Sequence, residues 1–130
     1  MQISNKSCYG LRAMVYLAKK NRVCSVREIS QKENIPFDFL EKIISALQKK
    51  NLVKSQRGSQ GGYFLACPSQ NISLKKVLES LESRMSLISC EKGCTFPKGK
   101  RKCPIKGAWK KVQKALDSAL DNITLADIIS

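Results

Sequence analysis

Ten residues near the middle of the chain, Arg57-Gly58-Ser59-Gln60-Gly61-Gly62-Tyr63-Phe64-Leu65-Ala66, constrain the fold more than any other stretch. The glycine cluster Gly58-Ser59-Gln60-Gly61-Gly62 separates two runs of strand character. Leu52-Val53-Lys54-Ser55-Gln56-Arg57 precedes it, and Tyr63-Phe64-Leu65-Ala66-Cys67 follows, stopped by Pro68. Such clusters mark turns, and proline cannot donate to a strand ladder, so the segment predicts a short β-hairpin.

The rest of the chain carries helical periods. Over residues 4 to 20, Cys8, Leu11, Val15 and Ala18 recur at three- and four-residue steps, and Gly10 invites a close backbone approach. Ser25-Val26-Arg27-Glu28 has the form of a capping box and opens a short second helix that ends near Lys32. Glu33-Asn34-Ile35 makes a turn, and Pro36 suits the first position of a third helix with the stripe Leu40, Ile43, Ile44 and Leu47. Lys49-Lys50 close that helix, and Asn51 suits the left-handed cap position. Ser73 caps a fourth helix bearing Leu74, Val77, Leu78 and Leu81. A long final helix carries Trp109, Val112, Leu116, Ala119 and Ile123, and Thr124-Leu125-Ala126-Asp127 reads as a capped last turn.

Two short helices joined by a tight turn and followed by a hairpin make a winged helix-turn-helix. The expected fold class is therefore mainly α with a small β-hairpin. A winged helix-turn-helix domain occupies 1–82, a cysteine-containing loop 83–104, and a long C-terminal dimerisation helix with its closing turn 105–130.

Charge narrows the function. Lys and Arg number 24 against 10 Asp and Glu, a formal net charge of +14 in 130 residues. That excess points to a polyanion, nucleic acid before membrane. It is also localised: from Lys42 to Leu78 there are seven basic residues and no acid, a stretch that runs from within the third helix through the hairpin into the fourth helix. A phosphate-facing surface needs this asymmetry, because each neutralised phosphate releases counterion. The longest apolar run, Ala13 to Ala18, has six residues, too short for a membrane span, and the first seven residues lack the apolar core of a signal peptide. A cytoplasmic protein is expected. The six cysteines then point to metal or redox chemistry rather than a disulfide framework. The chain has no histidine, which excludes Ser-His-Asp and Cys-His catalysis and every His-ligated metal site.

At this point the sequence resembles a known family: the iron–sulfur cluster regulators among winged-helix transcription factors, of the IscR, NsrR and CymR type. The hairpin Arg57 to Ala66 is similar to the family's R-G-x-x-G-G-Y-x-L-A signature. Phe39-Leu40-Glu41-Lys42 and Leu47-Gln48-Lys49-Lys50-Asn51-Leu52-Val53 look like its recognition helix and the exit from it, and Asn122 to Ile128 resembles its C-terminal signature. Trp109 falls where the family places an aromatic on its dimerisation helix. The resemblance covers essentially the whole chain. It implies a homodimer on a nearly two-fold symmetric double-stranded operator, the third helix in the major groove and the wing in the adjacent minor groove. By position, Asp38, Glu41 and Lys42 would face base edges, and Arg57 the minor groove or backbone. Ser25, Arg27, Ser55, Ser59 and Gln60 would hold phosphates.

The resemblance also implies an iron–sulfur cluster, 2Fe-2S or 4Fe-4S, on the loop cysteines Cys90, Cys94 and Cys103. Three and eight residues separate them, where many relatives have more even gaps. From Lys92 to Leu116 there are nine basic residues and no acid, an environment that favours thiolate. In cluster-assembly regulators a histidine three residues after the last cysteine supplies the fourth ligand; here that position is Lys106. The nitric-oxide sensor type borrows an acid from the partner's first helix, and the matching position is Cys8. Cys8 is accordingly expected as a cross-subunit ligand, against the alternative of a small buried hydrophobe. Cys24 and Cys67 read as core or edge packing. Zinc remains a rival metal if Cys8 or Glu91 joins the loop cysteines. A metal-free thiol switch among Cys90, Cys94 and Cys103 is an alternative regulator. A thiol-redox enzyme built on Cys90-x-x-x-Cys94 is an alternative of another class, although this is the wrong spacing for C-x-x-C and no βαβ pattern accompanies it. A nucleic-acid-coating module driven by charge alone would bind unrelated duplexes equally. The expectation is a transcription regulator and not an enzyme.

Overall fold

A computed structural model describes residues 3–82 and 104–130. In chain order they form α1 (Asn5–Lys20), α2 (Val26–Glu33), α3 (Phe37–Lys49), β1 (Val53–Gln56), β2 (Gly62–Leu65), a 3-10 turn (Ser69–Asn71), α4 (Leu74–Leu81), α5 (Lys106–Asn122) and α6 (Leu125–Ile129). The architecture is mainly α with one antiparallel hairpin, as the patterning predicts.

Local chemistry sets the boundaries. Ser4, Ser25, Ser73 and Thr124 cap α1, α2, α4 and α6, each side-chain oxygen accepting a backbone N–H three residues on. Asn21 and Asn34 end α1 and α2 in the left-handed region at φ 50° and 53°, and Asn51 follows α3 at φ 61°. Pro36 stands one residue earlier than expected, at the cap of α3 rather than inside it. Its fixed φ still directs the chain into the helix without a donor to satisfy.

The buried face of α1 differs from the expected stripe. Ser7, Gly10, Ala13, Met14, Leu17 and Ala18 are buried, whereas Cys8 is exposed and Leu11 and Val15 are half-buried. Residues 13 to 18 are apolar on every side, so the sequence admits two registers one residue apart. The register chosen carries a serine and a glycine in its first half. The Ser7 hydroxyl donates to Glu82 Oε1 at 2.7 Å, and the Ser4 amide and hydroxyl donate to the same oxygen. At Gly10 a Cβ would lie 2.1 Å from Leu81 Cδ1, so α4 packs against bare backbone there.

Met14, Leu17, Ile29, Leu40, Ile44, Leu47 and Ile72 belong to one core shared by α1 to α4 and β1. Leu125 of α6 is fully buried in that core. The end of the chain is pinned by backbone bonds from Leu125 to Ile72 (2.9 Å) and from Leu74 to Ile123 (2.8 Å). By contrast, α5 buries none of its side chains completely: Trp109 and Val112 are 43% and 47% exposed. Among the described residues, no helix is long and apolar enough to cross a membrane.

Candidate nucleic-acid interface

α2 and α3 meet at the turn Asn34-Ile35-Pro36. Ile35 is buried beneath it, the Ser30 hydroxyl donates to the Ile35 carbonyl at 2.6 Å, and the Arg12 guanidinium donates to the Glu33 carbonyl. Because Leu40, Ile43, Ile44 and Leu47 are buried, the helical period turns Asp38, Lys42, Ser45 and Lys49 to the opposite side, with Glu41 on its flank; all five are exposed. The sequence reading named Asp38, Glu41 and Lys42 but passed over Ser45 and Lys49. They are legible as the complement of the apolar stripe, in steps of three and four from Lys42.

The wing pairs Val53 with Leu65, Lys54 with Phe64, Ser55 with Tyr63 and Gln56 with Gly62. Its base has a third partner that sequence reasoning missed. Cys24 and Tyr63 exchange backbone hydrogen bonds of 2.9 and 2.8 Å just before α2, so the hairpin is fastened to the helix-turn-helix. A Cβ on Gly62 would fall 2.3 Å from the Cys24 carbonyl oxygen, which explains one glycine of the signature. Gly58, at φ 115°, turns the tip. Arg57, Ser59 and Gln60 are all exposed there, and Lys54 and Ser55 are exposed along β1. The Gln48 amide donates to Ser55 Oγ at 3.4 Å, a weak link between α3 and the wing.

Ser25 and Arg27 lie at the start of α2. The Ser25 oxygen accepts the Glu28 amide at 3.0 Å and keeps its own proton to donate elsewhere. The second half of the expected capping box does not form, because Glu28 faces elsewhere. Its carboxylate receives a bidentate contact from Arg22 (2.9 and 3.1 Å) and the Tyr16 hydroxyl at 2.5 Å. These bonds, Arg22 first and Tyr16 second, hold the Glu28 carboxyl down at about 2. Burial, then the bond to Glu28, pushes Tyr16 up to about 12. The arrangement ties α2 to α1 beside the residue that anchors the wing. Nearby, burial raises the thiol pKa of Cys24. The Arg27 guanidinium lies 5.7 Å from the Phe37 ring centroid. On the other flank of α3, Phe39 meets Tyr9 edge-on at 5.7 Å.

The cysteines divide clearly. Cys24 is buried and Cys67 half-buried, consistent with packing, while Cys8 is exposed, which removes the buried-hydrophobe alternative for it. All three are free thiols. Cys90, Cys94 and Cys103 lie outside the described residues. Among the described residues no three His, Cys, Asp or Glu side chains gather as a metal site.

Comparison with known proteins agrees with this geometry. The Rrf2 family, described as an iron-dependent transcriptional regulator, matches residues 3–130. IscR of Klebsiella pneumoniae, an HTH-type transcriptional regulator, is 29% identical over 134 residues, which cover 100% of this chain and 80% of that one. The solved structure of T. potens IscR is 33% identical, with a TM-score of 0.79 over 99% of this chain and 86% of its own. That of CymR, the global cysteine regulator of B. subtilis, is 30% identical, with a TM-score of 0.83 over 99% of this chain and 96% of its own.

Proposed function

Because the chain belongs to the Rrf2 family and is a transcriptional regulator, we propose that it is a cytoplasmic homodimer whose grip on operator DNA is set by an iron–sulfur cluster. The division into a winged helix-turn-helix domain, a cysteine loop and a dimerisation helix serves that reading. Asp38, Glu41 and Lys42 face base edges from α3, and Arg57 reaches the minor groove from the wing. Ser25, Arg27, Ser55, Ser59 and Gln60 engage phosphates. The observation that carries the reading is the exposed polar face of α3 beside a wing fastened at Cys24, on which Lys42, Lys49, Lys54 and Arg57 outnumber Asp38 and Glu41.

Cys90, Cys94 and Cys103 would supply three thiolates, and Cys8 a fourth from across the dimer. An exposed, unpaired Cys8 thiol on the outer side of α1 has what a cross-subunit ligand needs. When bound, the cluster supplies iron–thiolate chemistry that responds to oxidants and small ligands. The chain's own part is transmission. Ser7, beside Cys8, is buried and held by Glu82 at the end of α4, and α1 packs on α3. A pull on Cys8 therefore acts on a rigid helix that supports the recognition helix. Regulation requires that loading and operator binding favour the same or opposite arrangements, with a coupling of about 1–3 kcal/mol, roughly 5- to 150-fold in affinity.

The test is anaerobic preparation, with visible spectra and iron and sulfide counts, followed by operator titration of the loaded and stripped dimer. Expected are a coloured protein, loss of colour in Cys94→Ser and weakened colour in Cys8→Ala, and a change in operator affinity on stripping. Equal affinity in both states overturns cluster control. A colourless protein whose affinity changes with oxidation alone supports the second reading, a thiol switch among the loop cysteines. The similarity to a cysteine regulator favours that alternative.

A further inference from the structure

Phe37 is the first residue of α3 and remains 37% exposed, on the flank it shares with Glu41 one turn on, between the buried stripe and the outward face that begins at Asp38. A partly open apolar ring at the start of this helix, next to Asp38 and Glu41, is out of place on a surface that meets only phosphate. Phe39, of similar exposure, is accounted for by its edge-on contact with Tyr9. Phe37 has a different neighbour: the Arg27 guanidinium, 5.7 Å from its ring centroid. Arg27 itself is exposed, so a cation braces one side of the ring while about a third of the residue stays open to solvent.

We propose that Phe37 is a specificity-determining residue that reads a thymine in each operator half-site by apolar contact with its C5-methyl group, while Arg27 braces the ring and engages the adjoining phosphate. The inference rests on the operator-binding reading and names a base it selects. Three considerations converge on this occupant. The N-terminal end of a recognition helix is the part that approaches base edges. In the major groove the thymine methyl is the apolar feature, and aromatic or methyl-bearing side chains are its usual contacts. The polar neighbours are those a groove uses: Arg27 and Lys42 suit phosphate, and the carboxylates of Asp38 and Glu41 can accept from a cytosine amino group, whereas an apolar protein surface calls for neither. A guanidinium above the ring also lowers the freedom of both side chains before binding, so less is lost on docking.

The experiment begins with a duplex selected from a random pool by the full-length chain, its metal state held constant throughout. Each thymine is then replaced singly by deoxyuridine, which removes the methyl and nothing else. One position per half-site is expected to weaken binding about 4-fold, and both together about 16-fold, the factor for losing one buried methyl each. Phe37→Ala should bind the selected duplex less tightly and no longer distinguish thymine from deoxyuridine at that position. Phe37→Leu should retain part of the distinction. Arg27→Ala should weaken binding to every duplex and lower the salt dependence, leaving thymine discrimination partly intact. If wild-type affinity is the same on every deoxyuridine duplex, or Phe37→Ala discriminates as wild type does, the methyl contact is overturned while operator binding stands. If no duplex is selected at all, operator binding falls and this inference falls with it. Unchanged affinity of Phe37→Ala on all duplexes assigns the ring to a protein partner instead, which also overturns the inference.

Discussion

Glu28 is the residue whose role depends most on its surroundings. In sequence it completes an S-x-x-E pattern, but in the fold it gives up that partner for Arg22 and Tyr16. The reason is competition: a bidentate guanidinium and a phenol outbid one backbone amide that the Ser25 oxygen does not need Glu28 to balance. Glu28→Gln keeps the shape and removes the charge. It should cost about 1–2 kcal/mol of unfolding free energy at neutral pH, measured by urea titration. The sign with pH follows from the lowered carboxyl. Its ordinary value is 4.5 and its folded value about 2, so the stabilisation is complete above about 4.5 and fades as pH falls toward 2. The gap between wild type and Glu28→Gln should therefore close in that window; a gap independent of pH would show that charge is not what the site uses. None of this was legible from a local motif, because the partners lie six residues before Glu28 and on another helix. The Ser4, Ser7 and Glu82 clasp escaped for the same reason. A serine on a buried helix face reads as a break in an apolar stripe until its distant carboxylate is seen.

At the scale of elements, the wing was readable because its determinants are local. Glycine spacing, strand residues and Pro68 specify the hairpin without help from elsewhere. The docking of the wing was not readable, since the Cys24–Tyr63 pairing joins segments about forty residues apart in sequence. The two glycine contacts differ in a way that can be measured. At Gly62 an added methyl meets a backbone carbonyl at 2.3 Å, which moves only if the wing lifts off Cys24; at Gly10 it meets the end of the Leu81 side chain. Gly62→Ala should thus weaken operator binding as well as stability, whereas Gly10→Ala should cost about 1–3 kcal/mol of stability and spare DNA affinity in the folded fraction. Within the wing, Arg57 at the tip and Lys54 on β1 carry the same charge in different places. Arg57→Ala should lower operator affinity more than Lys54→Ala, while each reduces the salt slope by about 1. Equal losses would mean that the arginine is one charge among many, with no groove of its own.

The whole molecule poses a question that neither residues nor elements settle singly: what covers α5. The helix has 17 residues and buries none of them fully, although Trp109 and Val112 recur on one side. An isolated helix of this length is marginal in water, and most helical stability comes from packing an apolar face. The apolar period of α5 was plain in the sequence; that α4 covers only part of it, leaving Leu116 and Leu120 half-buried and Trp109 and Val112 open, was not, because burial depends on where α4 takes up its own face. In the homodimer proposed above a second copy of the same chain would meet the requirement, and its two-fold arrangement would bring two wings and two copies of α3 to one duplex. Trp109→Glu puts a charge into that seam. Sedimentation at micromolar concentration should then show a monomer, against the dimer expected of wild type. Affinity for a two-half-site duplex should fall by about 100-fold or more, with affinity for a single half-site unchanged, because linking two reading heads multiplies binding without adding contacts to either. The same variant should also lose any cluster that needs Cys8 from across the seam, while Cys90, Cys94 and Cys103 remain intact in sequence. A Trp109→Glu chain that stays dimeric and holds both half-sites as tightly as wild type would place the seam elsewhere and separate α5 from regulation altogether.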